Sequence, residues 1–171
     1  MAEAPSFTDL FARVQRSAWH LEMRDGYKLT DPAFVDWQAG REIVPADRWP
    51  TWFELVSATV ARGVEVKRVR VVSEPVSDYI KFEHSVTAGL NIAAGEDIRW
   101  LPRRQATSLL LPGNDHWLFD ETTLLVNHFN GNGDSTGHEL IEDDPDLAKQ
   151  CVTAFRAAWD RAVPHAQYHP A

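Results

Sequence analysis

The sequence predicts an α+β (mixed α/β) domain built on a central mixed sheet, and three runs of residues carry that prediction. Residues 64–73 are rich in β-branched side chains, a helix-period stretch follows over 77–94, and a second strand-like run occupies 97–101. Such a strand–helix–strand unit joins parallel neighbours through a right-handed crossover. Residues 117–119, 123–129 and 137–141 are short strand-like runs around the turn Asn130-Gly131-Asn132-Gly133-Asp134, which extends the sheet with an antiparallel hairpin. Asp144-Pro145 then opens a closing amphipathic helix over 146–162, with Leu147, Val152, Phe155 and Trp159 along one face.

The first third of the chain adds an N-terminal helix and hairpin. Ser6 or Thr8 can cap a helix over 6–19 whose stripe is Phe7, Leu10, Phe11, Val14 and Ala18. Residues 20–30 alternate in polarity around Asp25-Gly26, a hairpin signal. Asp31-Pro32 opens a short helix that ends before Gly40, and a further helix over 51–62 stops at Gly63. The expected organisation is a single domain over 1–163, with 1–63 packed on a 64–163 core, and a loose tail over 164–171.

Composition narrows the function classes. Among 171 residues, 44% are hydrophobic, and seven Trp and eight Phe supply enough apolar surface for a real core. The formal net charge of -8 argues against duplex binding, whose affinity comes from neutralising phosphates. Charge is segregated: 105–148 holds no Lys or Arg, whereas Arg62, Lys67, Arg68, Arg70 and Lys81 cluster upstream. The lone Cys151 permits no intrachain disulfide, no apolar run reaches the roughly 18 residues of a membrane span, and residues 1–6 lack a leader's layout, so a cytoplasmic protein is expected.

No P-loop, dinucleotide-binding glycine motif, nucleophile elbow, zinc-protease helix or paired CxxC occurs. His128 and His138 flank the glycine-rich turn near Asp134, but their spacing enforces no metal site, and neither metal nor cofactor is expected. Trp37, Trp49 and Trp52 lie close together in sequence and read as a core lid. The residues that invite chemistry surround the crossover. A strand's period of two puts Arg68 and Arg70 on one face, and a covered guanidinium requires carboxylates. Glu74, Tyr79, Glu83, Glu96 and Arg99 complete the candidate constellation. It can be a closed Arg–Glu network without a ligand, a polar pocket at the carboxyl end of the sheet for a small anion, or a docking surface.

The stretches LEMRDGY (21–27), RVRVVSEPVSDYIKFE (68–83), AGEDIRWLPR (94–103) and DHWLFDETTLLVNHF (115–129) resemble an actinobacterial family of unknown function, the one numbered 6879, over about residues 6–163. That resemblance implies a role beside Xre-type helix-turn-helix regulators or toxin-like partners. The second half is also similar to a degenerate half of the phospholipase D fold, whose hairpin carries HxKxxxxD. The segment LFDETTLLV resembles the strand bearing the motif's Asp, matching Asp120, and the His and Lys positions then fall on Gly113 and Asp115. Neither residue can act as nucleophile or phosphate clamp. The resemblance therefore implies a non-catalytic regulatory or interaction protein. The alternatives are a sensor of a small anionic ligand and, behind it, an enzyme on phosphorylated substrates with Glu83 or Glu96 as base.

Overall fold

A computed structural model describes residues 5–171. The reading of 1–6 as lacking a leader therefore falls mostly outside the described residues. Among the described residues seven strands form one mixed sheet. The parallel centre is β1 (Ser17–Glu22), β2 (Glu65–Val72) and β3 (Asp97–Pro102). On one side β4 (His116–Phe119) pairs antiparallel with β1, β5 (Thr123–Phe129) with β4, and β6 (Ser135–Ile141) with β5; on the other the short β7 (Val163–Pro164) pairs antiparallel with β3, giving the order β6-β5-β4-β1-β2-β3-β7. No helix among the described residues is long and apolar enough to cross a membrane.

Helices cover both faces because β1 and β2 are apolar or charge-paired on both. On the back face α6 (Pro145–Arg161) lays Cys151, Val152, Phe155 and Trp159 against Trp19, Leu21, Val69, Val71 and Leu118. On the front face α1 (Phe7–Arg13) and α4 (Pro50–Ala61) cover the amino-terminal end of the strands through Leu10, Phe11 and Val56. The crossover helix α5 (Asp78–Thr87), continued by one wider π-type turn over Ala88–Ile92, packs Phe82 and Val86 on Phe34 of α2 (Pro32–Gln38). The short α3 (Pro45–Arg48) bridges α2 and α4. A cleft on the front face is left between the α1–α4 pair and α5.

The structure corrects the amino-terminal prediction. The helix expected over 6–19 stops at Arg13, and the expected hairpin over 20–30 is absent. The cause lies far away in sequence. The Asp120 carboxylate accepts the backbone N–H groups of Gln15, Arg16 and Ser17 at 2.9, 2.7 and 3.1 Å, which ends helical pairing and launches β1. Asp120 itself sits at φ 51 in the turn between β4 and β5. Asp25 marks no hairpin; its carboxylate takes the Ser73 N–H and hydroxyl, each at 2.6 Å, tying the loop after β1 to the end of β2.

The carboxyl end is also corrected. Residues 164–171 are no loose tail: Tyr168 stacks on Trp100 with centroids 5.4 Å apart and donates to Glu74 at 3.0 Å, and the Val76 N–H donates to the Ala171 carbonyl at 2.8 Å.

Candidate functional site

The front face changes character row by row, as register dictates. Its first row across the sheet is apolar: Phe119, Ala18 and Val66. The second is Trp117, His20, Arg68 and Ile98. The third is Glu22, Arg70 and Trp100. Because β1 and β2 run parallel in this register, β1's period of two delivers His20 and Glu22 beside Arg68 and Arg70.

Arg68 and Arg70 are 7% and 5% exposed, and their charges are answered inside the protein. Glu22 lies between them, accepting from Arg68 Nη1 at 2.6 Å on one oxygen and from Arg70 Nε at 2.7 Å on the other. Burial alone raises a carboxyl's pKa, but the two guanidiniums overcome it and hold Glu22 well below the usual carboxylate range. Glu96 accepts from Arg68 Nε at 2.7 Å and from Asn91 Nδ2 at 2.6 Å. Asn91 sits in the π-type turn, so the widened helix end holds Glu96 in place. Arg70 Nη1 donates to the Thr87 hydroxyl at 2.6 Å.

Glu83 is the weakly held member. Its carboxylate lies 3.9 Å from Arg70 Nη2, and burial pushes its pKa up to about 7, with Arg70 opposing and Glu22 reinforcing. Beside Glu22, Asp115 accepts from the Met23 N–H at 2.9 Å and from the Tyr27 hydroxyl, and burial raises its pKa to about 6. His20 is 7% exposed and stacks on Trp117, centroids 4.2 Å and planes 14° apart. Burial pushes its imidazole pKa well below the ordinary value, against the pull of Glu22, whose oxygen stands 3.4 Å from Nδ1 without hydrogen-bond alignment.

The cleft above this floor has a volume of about 310 Å³ and aromatic walls, with Phe7, Trp52 and Trp117 on one side and Trp49, Tyr79 and Phe82 on the other. Tyr79 packs on Phe82 and Phe34, and burial raises its phenol well above the ordinary value. Of the seven residues proposed from sequence, the structure brings Arg68, Arg70, Tyr79, Glu83 and Glu96 together. Two fall elsewhere. Arg99 pairs with Val69 in register and points to the back face, lying 4.1 Å from the Trp159 ring centre and donating to the Trp159 carbonyl at 3.1 Å. Counting alternate residues from 97 places it opposite Trp100, and that signal was readable. Glu74 turns toward Tyr168 and Arg104 beyond the end of β2. Sequence reasoning missed His20, Glu22, Thr87, Asn91, Trp117 and Asp115. The residues over 17–22 give Ala18, His20 and Glu22 one shared face, but only knowledge that β1 neighbours β2 connects them to the arginines.

The basic cluster read from sequence forms no surface, since Arg68 and Arg70 are buried. The acidic stretch does reach solvent: Asp134, Glu139, Glu142, Asp143, Asp144 and Asp146 are all exposed. His128 bonds Glu139 at 3.1 Å and His138 bonds Asn127 at 2.9 Å, as cross-strand pairs of β5 and β6. Trp37 and Trp49 pack with Phe34 and Phe82, whereas Trp52 joins Phe7 and Trp117 at the cleft.

Residues 5–170 match the family model described as domain of unknown function (DUF6879). Among curated proteins, none matches this sequence. Among solved structures, the chain is similar to Nuc, a phospholipase D family member from Salmonella typhimurium, at TM-score 0.51 and 13% identity, covering 92% of this chain and 86% of that one. It also overlaps TrmBL2, an archaeal chromatin protein, at TM-score 0.49 and 11% identity, over 91% of this chain and 47% of that one. The first likeness shows the fold: an α+β sheet of the phospholipase D kind.

Proposed function

The chain belongs to the DUF6879 family, and from that premise we propose that it is a non-catalytic regulatory protein of the actinobacterial cytoplasm that works through a helix-turn-helix regulator or a toxin-like partner. One observation carries the non-catalytic part. Aligning the Asp of the HxKxxxxD motif with Asp120 puts Gly113 and Asp115 at its His and Lys positions, and Asp115 is tied down by Tyr27 and the Met23 backbone. The matching Asp120 supports architecture through three backbone amides. The arginines that a phosphate-handling enzyme needs are occupied by Glu22 and Glu96. Fold alone carries no activity with it.

The acidic exposed stretch around β6 and the start of α6 supports the partner half of the proposal, because it suits a basic partner and speeds encounter with one. The test is co-expression with a neighbouring Xre-type regulator, followed by size-exclusion chromatography at rising salt. A complex at micromolar concentration that weakens with salt is the expected result. No complex at that concentration overturns the partner half, and turnover of bis(p-nitrophenyl) phosphate overturns the other.

A second reading, a small-molecule sensor, is favoured by one specific observation: the open aromatic cleft above the arginine pair.

A further inference from the structure

The front cleft holds polar groups that the protein's own side chains leave unpaired. His20 is more than nine-tenths buried and lines the cavity, yet both its ring nitrogens lack a hydrogen-bond partner among the described residues. A neutral imidazole offers one donor and one acceptor, and leaving both unmet in a buried position costs free energy that a ligand can recover. Two more donors are unused beside it. Arg68 engages its carboxylates through Nε and Nη1, so its Nη2 makes no hydrogen bond among the described residues. Arg70 Nη2 has, among the described residues, only the long contact to Glu83. The floor thus presents a mixed row of donors and an acceptor, not a cationic fork.

Charge and shape exclude two ligand classes. A phosphate or carboxylate gains little, because the two guanidiniums already face Glu22 and Glu96, and Glu83 and Asp31 at the margins repel a second anion. A quaternary ammonium gains little either, since Arg68 already stands over the Trp52 and Trp117 rings at 5.6 and 5.5 Å and takes those faces. What remains is an uncharged flat ring with polar edges. A volume of about 310 Å³ lies at the low end of small-molecule pockets, which run from roughly 300 to 1,000 Å³.

We infer that the front cleft binds an uncharged heterocycle of the nucleobase or nucleoside class, whose edge meets His20 and the Nη2 groups of Arg68 and Arg70 while Trp49, Tyr79 and Phe82, the wall that Arg68 does not occupy, cover its ring. This rests on the sensor reading above and names its ligand class.

The test titrates the full-length protein with adenosine, guanosine, cytidine and uridine, following tryptophan fluorescence and thermal unfolding. Inorganic phosphate and tetramethylammonium serve as charged probes. Saturable binding of at least one nucleoside is expected, with affinity falling about tenfold or more in His20→Phe, the range for a lost buried hydrogen-bond pair. Should His20→Phe fail to fold, Trp49→Ala on the opposite wall of the cleft takes its place: a fall in nucleoside affinity of comparable size is expected, and an unchanged affinity overturns the site. Binding of phosphate or tetramethylammonium alone overturns the ligand class and leaves the sensor reading standing. No binding by any probe at millimolar concentration overturns both. Nucleoside binding indifferent to His20→Phe overturns the site.

Discussion

Arg70 and Glu83 face each other across 3.9 Å without a hydrogen bond, while every other carboxylate in the central network is held at 2.7 Å or less. The loosely held acid is therefore the one that titrates near neutrality. Its pKa is raised to about 7 from an ordinary value of 4.5, so the folded state takes up a proton more readily than the unfolded chain. That contribution to stability is complete below about pH 4.5 and disappears as pH rises through 7. Asp115, raised to about 6, acts in the same direction. Between pH 5 and 8 the wild type should lose stability, and Glu83→Gln should recover about 1–3 kcal/mol of it at pH 8. Urea unfolding at several pH values checks this; a variant with the wild-type slope refutes it.

Glu22 should be the least replaceable residue of the site. Removing it leaves two buried guanidiniums short of their shared partner, and breaking a buried pair in this way costs about 3–5 kcal/mol. Glu22→Ala is expected to unfold at far lower urea than Glu74→Ala, whose carboxylate meets Tyr168 and the exposed Arg104. Equal midpoints would show that the network does not hold the sheet.

Asp120→Ala tests whether the residue at the motif's acid position serves structure. Three backbone N–H groups lose their acceptor, a loss of about 1–3 kcal/mol, and the new residue must also hold φ 51. Thermal unfolding should shift down, and amide exchange at 15–17 should quicken.

Rebuilding the motif should not rebuild the chemistry. Gly113→His with Asp115→Lys places an ammonium where Tyr27 and the Met23 N–H now donate, so two donors lose their acceptor. The double variant is expected to be less stable and to leave bis(p-nitrophenyl) phosphate intact. Measurable turnover would show that the scaffold retains a phosphate site.

Much of this was legible in the residues. The crossover, the hairpin strands and the closing helix follow from period and turn chemistry, and Thr123–Phe129 and Pro32–Gln38 appear where the sequence puts them. Arg68 and Arg70 announce their need for acids because a central strand hides them. The failures share one cause. The end of α1 is set by Asp120, more than a hundred positions away, and β1 reads as half of an exposed hairpin because its polar residues are paired only after β2 arrives. Alternation reports that His20 and Glu22 share a face, not that the face is covered. Likewise the tail looks polar and free until Tyr168 finds Trp100.

β2 contributes Val69 and Val71 to the back core, Val66 to the front core, and Arg68 and Arg70 to the charged floor. No partial opening can release this strand while either layer survives. Its central amides should therefore exchange with deuterated solvent only through complete unfolding, at a rate set by global stability, while those of the outlying β6 exchange first. The seam expected to open first is therefore the acidic edge of the sheet, leaving the centre intact.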